Sequence, residues 1–264
     1  MLYNCVMVYE KIVKAKFLCR PNRFVAKVLI KNEAESGNFE NNSGNFAEET
    51  VHVKNTGRCR ELLQSGETVY LEDFINSPQL ARRKYRYSLV AVEKPNALAS
   101  GKTILVNMDS LAPNKVVNEA LKSGSLILPG LKSLVKIVPE CQHKDSRFDF
   151  FVQDEAGQKA FIEVKGVTLE NNGHATFPDA PTLRGIKHLN GLKESLNEGY
   201  KAYAIFVVQM QGISDFAPDY IIHPDFAAAL KQAKNAGVEV LCYGCTVTPD
   251  TMQLNIEDRI PVLV

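Results

Sequence analysis

The residues best equipped for chemistry sit on two neighbouring strand-like runs. Asp149 lies in Ser146-Arg147-Phe148-Asp149-Phe150-Phe151-Val152, and Glu163 and Lys165 lie in Ala160-Phe161-Ile162-Glu163-Val164-Lys165. Alternate residues of a strand share a face, so Glu163 and Lys165 point one way while Ile162 and Val164 point the other, into a core. Two carboxylates and an ammonium can then converge. Carboxylate oxygens suit Mg²⁺ or Mn²⁺, Mg²⁺ keeps several of its waters, and a nearby lysine can orient one of them or steady charge developing on a phosphate. That is equipment for cutting a phosphodiester. A Glu-x-Lys in an alternating strand is also common as a solvated face, so the motif gains weight only from what surrounds it.

The surrounding elements supply that context. Helix 113–122, ended by Gly124, precedes strands at 135–140, 147–153 and 160–167. After a loop through Pro178 and Pro181, Thr182 can cap a helix running to about Asn197, with Gly199 beyond its end. Ala202 to Gln209 is an apolar run of the kind buried on both sheet faces, and a helix from Pro224 to Gly237 leads into a strand at 238–243. This order, helix, three strands, helix, strand, resembles the PD-(D/E)XK nuclease-like fold, with Phe148 where the leading proline of that motif would stand. On the second helix Arg184 and His188 are four residues apart and share a face, while Leu189, Leu192 and Leu196 form the buried stripe. Arg184 would fork onto a phosphate, and His188 or Lys187 would assist electrostatically. Arg and His on an exposed helix face need no such role. Gly185, disfavoured inside a helix, predicts a close approach of another backbone or side chain. Glu119 on the first helix is a further candidate metal ligand beside Asp149 and Glu163, with an exposed glutamate as its plainer reading.

The first part of the chain reads as short strands at 11–19, 24–30, 51–54, 68–73 and 85–92, separated by turn signals, as a five-stranded OB-type barrel requires. Residues 31–49, rich in Asn, Gly and Glu without an apolar period, read as a mobile insertion. Pro95 and Gly101 place the domain junction near residue 95, giving an OB-fold-like domain over 1–95 and a nuclease-like domain over 96–264. Arg82, Arg83, Lys84 and Arg86 interleave with Tyr85 and Tyr87, a pattern suited to a groove that tracks phosphates while rings stack on bases. A charged edge that discourages aggregation would look the same.

Six segments carry a closer resemblance: Val51-His52-Val53-Lys54-Asn55-Thr56-Gly57-Arg58, Arg83-Lys84-Tyr85-Arg86-Tyr87, Ala112-Pro113-Asn114-Lys115, Ser146-Arg147-Phe148-Asp149, Phe161-Ile162-Glu163-Val164-Lys165-Gly166-Val167-Thr168-Leu169, and Phe177-Pro178-Asp179-Ala180-Pro181-Thr182-Leu183-Arg184-Gly185-Ile186-Lys187-His188-Leu189. Together they resemble the sugar fermentation stimulation protein A family across nearly the whole chain. The resemblance implies an N-terminal OB-type barrel, a C-terminal nuclease-like α/β domain and DNA binding, in which Arg58 and Arg60 join the 82–87 segment as DNA contacts. Thr56 and the 31–49 stretch depart from the family's pattern.

Composition sets the outer limits. The chain has 264 residues, 45% hydrophobic and 23% charged, enough for one large or two modest domains. No apolar run approaches the roughly 20 residues of a membrane span, and six Lys/Arg are scattered through residues 1–30, so a cytoplasmic protein is expected. The net charge of +1 says little about a partner. Of the six cysteines only Cys242 and Cys245 form a C-x-x-C; with no second pair, two buried thiols beside a turn are expected rather than a zinc or redox site. Three functional classes remain: a DNA-binding protein with a nuclease-like metal site, an active Mg²⁺-dependent DNA endonuclease, and a binder of a small anion clamped by Lys165, Arg184 and His188.

Overall fold

A computed structural model describes residues 6–31, 46–55 and 57–264. After a two-residue strand β1 (Met7–Val8), the chain builds a sheet from β2 (Ile12–Asn22), β3 (Val25–Lys31), β4 (Phe46–Val53), β5 (Thr68–Asp73), β6 (Tyr87–Ala97) and β7 (Lys102–Asn107), in the order β4-β3-β2-β5-β6-β7. Parallel pairing of β4 with β6, His52 to Ser88 and Val53 to Leu89, closes β2–β6 into the OB-type barrel. Strict alternation along β3 turns Ala26, Val28 and Ile30 inward to meet Phe17, Val51 and Leu71.

Three expectations change here. Lys31 pairs with Phe46, and Phe46–Glu49 open β4, so the ends of the 31–49 stretch are strand. Residues 32–45, like Thr56, lie outside the described residues. The junction expected near residue 95 falls inside the β6–β7 hairpin, where β6 absorbs Pro95 at a register shift between Lys94 and Ala97. The Pro and Gly that suggested a linker make a turn instead, with Asn96, Leu98 and Gly101 all at positive φ. Strand β7, beyond the expected junction, therefore belongs to the barrel sheet.

The second sheet follows α1 (Ala112–Lys122) and is assembled from β8 (Leu134–His143), β9 (Ser146–Asp154), β10 (Lys159–Val167), then, after a small hairpin β11 (Leu169–Asn171) and β12 (His174–Phe177), from β13 (Lys201–Val208), β15 (Glu239–Val247) and β16 (Thr251–Arg259). Helix α2 (Leu183–Leu196) precedes β13, while β14 (Asp215–Pro218) and α3 (Pro224–Ala236) precede β15. The order is β1-β16-β15-β13-β10-β9-β8, with β13 parallel to both β10 and β15, and the other pairs antiparallel. Met7 pairs with Met252, so the first strand of the chain serves this sheet and not the barrel. One face packs α1 against Phe150, Ile162, Val164 and Tyr203; the other packs α2 and α3 against Phe148, Phe161 and Phe206.

Thr182 caps α2, its hydroxyl accepting from the Gly185 N–H at 3.0 Å. A Cβ on Gly185 would lie 3.1 Å from the Phe226 ring of α3, which is the close approach its glycine predicted. Cys242 and Cys245 lie within β15, not beside a turn; both are buried and free, and burial pushes both thiols well above their ordinary value. Among the described residues no helix is long and apolar enough to cross a membrane.

Candidate active site

The pairing of β9 with β10 runs through Phe150 and Ile162, and the next residues along each strand are Asp149 and Glu163. There the backbone ladder gives way to a side chain: Asp149 Oδ2 accepts from the Val164 N–H at 2.7 Å. Strand β9 also changes face at this point, since Phe148 packs on the α2 side and Phe150 on the α1 side. Between the β8 residues that pair with them lies Glu140, at φ 53°. Helix α1 contributes Asn114, whose Nδ2 donates to Asp149 Oδ1 at 2.7 Å. Asp149 is thereby held from both sides in the gap where two strands part.

Glu163 is 2% exposed. Its Oε1 accepts from both Lys165 Nζ and His188 Nδ1, while Oε2 has no hydrogen-bond partner despite complete burial. Arg184 Nε donates to His188 Nε2 at 3.4 Å, which fixes the imidazole proton on Nδ1, facing Glu163. The result is a chain from Arg184 through His188 to Glu163. Thus α2 does not present an exposed Arg/His face: Arg184 reaches solvent, but His188 is buried against the sheet. Lys187 lies apart, in a surface depression with His143 and Glu194.

Burial and the neighbouring Glu163 charge raise the Asp149 carboxyl above the usual range, against the pull of Val164 N–H, Asn114 and Lys165. For Glu163 burial is the largest influence and also works upward, yet the His188 hydrogen bond and the Lys165 charge outweigh it and hold the group low. A buried carboxylate oxygen without a donor, beside a second carboxylate strained by charge, is a donor set that fits a hard divalent cation.

Glu119 does not join them. It is five residues from Asn114, so about 140° around α1 and about 7.5 Å along it. Burial raises its carboxyl, with Lys115 opposing. Among the described residues no group of three or more His, Cys, Asp or Glu gathers as a metal site, so a cation here would have Asp149 and Glu163 as its carboxylates and water for its remaining ligands. Asn114, the α1 residue that does reach Asp149, was signalled only by the Ala112-Pro113-Asn114-Lys115 segment.

The 82–87 segment is largely engaged in the fold. Arg86 forks onto buried Asp73 at 2.7 and 2.8 Å, and Tyr87 is buried inside the barrel sheet. Arg83 lies 3.7 Å over the Phe74 ring and donates to Ser88 and the Tyr85 carbonyl. Tyr85 is half-buried, with Lys84 Nζ 5.4 Å from its ring centroid; Arg82 and Lys84 face solvent. Arg58 and Arg60 are exposed on the opposite side of a groove from the 177–182 loop.

Residues 18–101 match the family model described as the SfsA N-terminal OB domain, and residues 111–251 match the sugar fermentation stimulation protein RE domain. The sugar fermentation stimulation protein homolog of Clostridium beijerinckii is 44% identical over 258 residues, covering 98% of this chain and 100% of that protein. The chain belongs to the sugar fermentation stimulation protein family. Another member, from Desulfitobacterium hafniense, is 44% identical over 94% of this chain and 95% of its own length. The solved structure of Pyrococcus furiosus SfsA in complex with Ca²⁺ superposes with a TM-score of 0.79 at 25% identity over 98% of both chains. The barrel followed by a mixed sheet is thus the architecture of that relative as well as of this chain.

Proposed function

We propose that this member of the family binds DNA and that Asp149 and Glu163 hold a divalent cation, Mg²⁺ or Mn²⁺, against the bound phosphodiester backbone. The observation that carries the reading is the donorless, buried Glu163 Oε2 beside a carboxyl whose pKa is raised by burial and by Glu163 itself. The archaeal relative's Ca²⁺ complex is consistent with an oxygen-rich site in this family. A bound Mg²⁺ would supply Lewis acidity and a more acidic water.

The chain's own residues have separable tasks. Asn114 and the Val164 N–H aim Asp149 into the gap. His188 orients Glu163 and is itself oriented by Arg184, whose exposed guanidinium holds a phosphate oxygen. Arg58 and Arg60 on the barrel, with Arg82 and Lys84 as outer contacts, neutralise the backbone.

A second reading, Mg²⁺-dependent DNA cleavage, is favoured by Lys165. Its ammonium already lies against Glu163, where it can neutralise charge that develops only in the transition state. Incubating the protein with supercoiled, linear and single-stranded DNA in Mg²⁺, Mn²⁺ or EDTA tests both. Retarded DNA that stays intact in every metal supports binding alone, nicked or shortened DNA only with metal supports cleavage, and no retention of any form at low salt refutes the proposal.

A further inference from the structure

Between the barrel and the 177–182 loop runs a groove of about 840 Å³. Arg20 builds its barrel wall. Its guanidinium donates to the carbonyls of Asn55, Gly57, Arg58 and Arg23 at 2.6, 2.9, 2.8 and 2.7 Å, so it ties the end of β2 to the loop after β4. With its donors turned inward, Arg20 presents Arg23, Arg58 and Arg60 along one wall. Among the described residues none of these three forms an ion pair. The facing carboxylate, Asp179, accepts from the Arg58 backbone N–H at 2.9 Å. A Cβ on Gly57 would stand 2.4 Å from Asp179 Oδ2, so the two walls are closest here.

Two further observations give the groove direction and chemistry. Beyond the Gly57 and Asp179 constriction a smaller depression shares Gly57, Phe177 and Asp179 with it and reaches Gly166, while Thr182 in the groove stands two residues before Arg184. Next to the groove residue Arg23, whose guanidinium is 5.9 Å from its ring centroid, Phe24 is 51% exposed. An exposed ring beside a guanidinium that forms no ion pair among the described residues fits neither a core nor a solvated edge. It is the pairing that binds an unpaired nucleotide, cation to phosphate and ring to base face. A duplex keeps its base faces stacked inside and has none to offer such a ring.

We propose that this groove takes one strand of DNA, single-stranded or a single-stranded segment of a larger molecule, with Arg23, Arg58 and Arg60 on its phosphates and Phe24, beside Arg23, stacked on a base. The inference rests on the DNA-binding reading above and adds the strand form and the path. Arg20 is a positioning residue, and the 82–87 segment is secondary.

The test is fluorescence anisotropy in EDTA, so that cleavage plays no part, with a labelled oligothymidine of about 20 nucleotides, longer than the 4–16 that an OB fold covers, and a duplex of equal length. The single strand should bind at least about 10-fold more tightly than the duplex. Phe24→Ala should weaken single-strand binding about 5-fold or more with its salt slope unchanged, since stacking releases no counterions, and Phe24→Trp should restore it. Arg58→Ala with Arg60→Ala should reduce the salt slope by about 1.4, from about 0.7 per lost phosphate contact, and weaken binding more than Arg82→Ala with Lys84→Ala does. Thermal unfolding of Phe24→Ala should match wild type because the ring is exposed. Equal affinity for the duplex, an unaffected Phe24→Ala, or a larger loss from the 82/84 pair would overturn the groove while leaving DNA binding in place. Binding of neither strand form by wild type would overturn both readings.

Discussion

Glu163 and Glu170 are both buried glutamates held below the usual carboxylate range with a lysine against them, and they differ in what is left over. Glu170 is saturated: Lys94 Nζ donates to its Oε2 and to its backbone carbonyl, while Oε1 accepts from the N–H groups of Leu98 and Gly173 at 3.0 and 2.7 Å. Burial alone would raise it; the lysine and the two amides reverse the sign. Glu163 crowds both its donors onto Oε1 and leaves Oε2 bare. A carboxylate that ties the barrel hairpin to the second domain completes its bonding within the chain. On the proposed reading, Glu163 keeps an oxygen free for a cation from outside the chain.

The largest effect expected from this contrast is on stability. Glu170→Ala should cost about 3–4 kcal/mol in urea unfolding, because it strands the Lys94 ammonium and two amides, and added Mg²⁺ should not restore it. Glu163→Ala should cost less than half as much; the reverse order would break the comparison. On the cleaving reading, Lys165→Met should slow DNA hydrolysis by roughly 10²-fold, about 2.7 kcal/mol, with DNA affinity and metal-induced stabilisation retained. Wild-type cleavage by this variant would deny Lys165 its role.

A third carboxylate sharpens the same line. The Arg86 hydrogen bonds, helped by Lys11 at 3.2 Å and opposed by burial, bring Asp73 down to about 2 from 3.8. Its folded value lies below its unfolded one, so the stabilisation is complete above about pH 5 and drains away as the pH falls toward 2. Arg86→Ala should therefore cost about 2 kcal/mol at neutral pH and flatten the acid limb of a stability profile, with DNA affinity little changed. Lost DNA affinity at full stability would return Arg86 to the binding surface. Smallest is the metal increment: Mg²⁺ or Mn²⁺ at ten times its Kd should stabilise wild type by about 1.4 kcal/mol, read as a rise in Tm. Asp149→Asn should lose most of that increment, and identical shifts in the two proteins would remove Asp149 from the site.

Much of this was legible in the residues because strand alternation is a local rule. It puts Glu163 and Lys165 on one face, and the Thr182 cap and the leucine stripe fix which side of α2 is buried. What escaped depends on partners far along the chain. His188 looks like a surface residue until α2 is laid on β10, 25 residues away, and meets Glu163. Arg86 looks free until the β5–β6 register sets Asp73 opposite Tyr87. Pro95 and Gly101 misled for a different reason: hairpin turns and interdomain linkers use the same residues. The α1 residue that meets Asp149 cannot be read from helical phase without knowing where Asp149 stands, so the sequence offers Glu119 as a candidate and does not show that Asn114 is the residue that reaches it.

The pairing of β1 with β16 has a consequence for how the chain must assemble. As the chain is made, Met7 and Val8 emerge before the barrel strands, but their partners Thr251 and Met252 emerge after all of them. The barrel can close with local pairings long before then. Throughout that interval the second sheet lacks the strands that finish its edge, and an open edge is where a half-made sheet recruits the wrong partner. A shortened form that begins at β2 would keep every barrel strand and every residue of the carboxylate site, yet leave β16 as an exposed margin. The damage from trimming one end of the chain would then surface as aggregation of the domain at the other end.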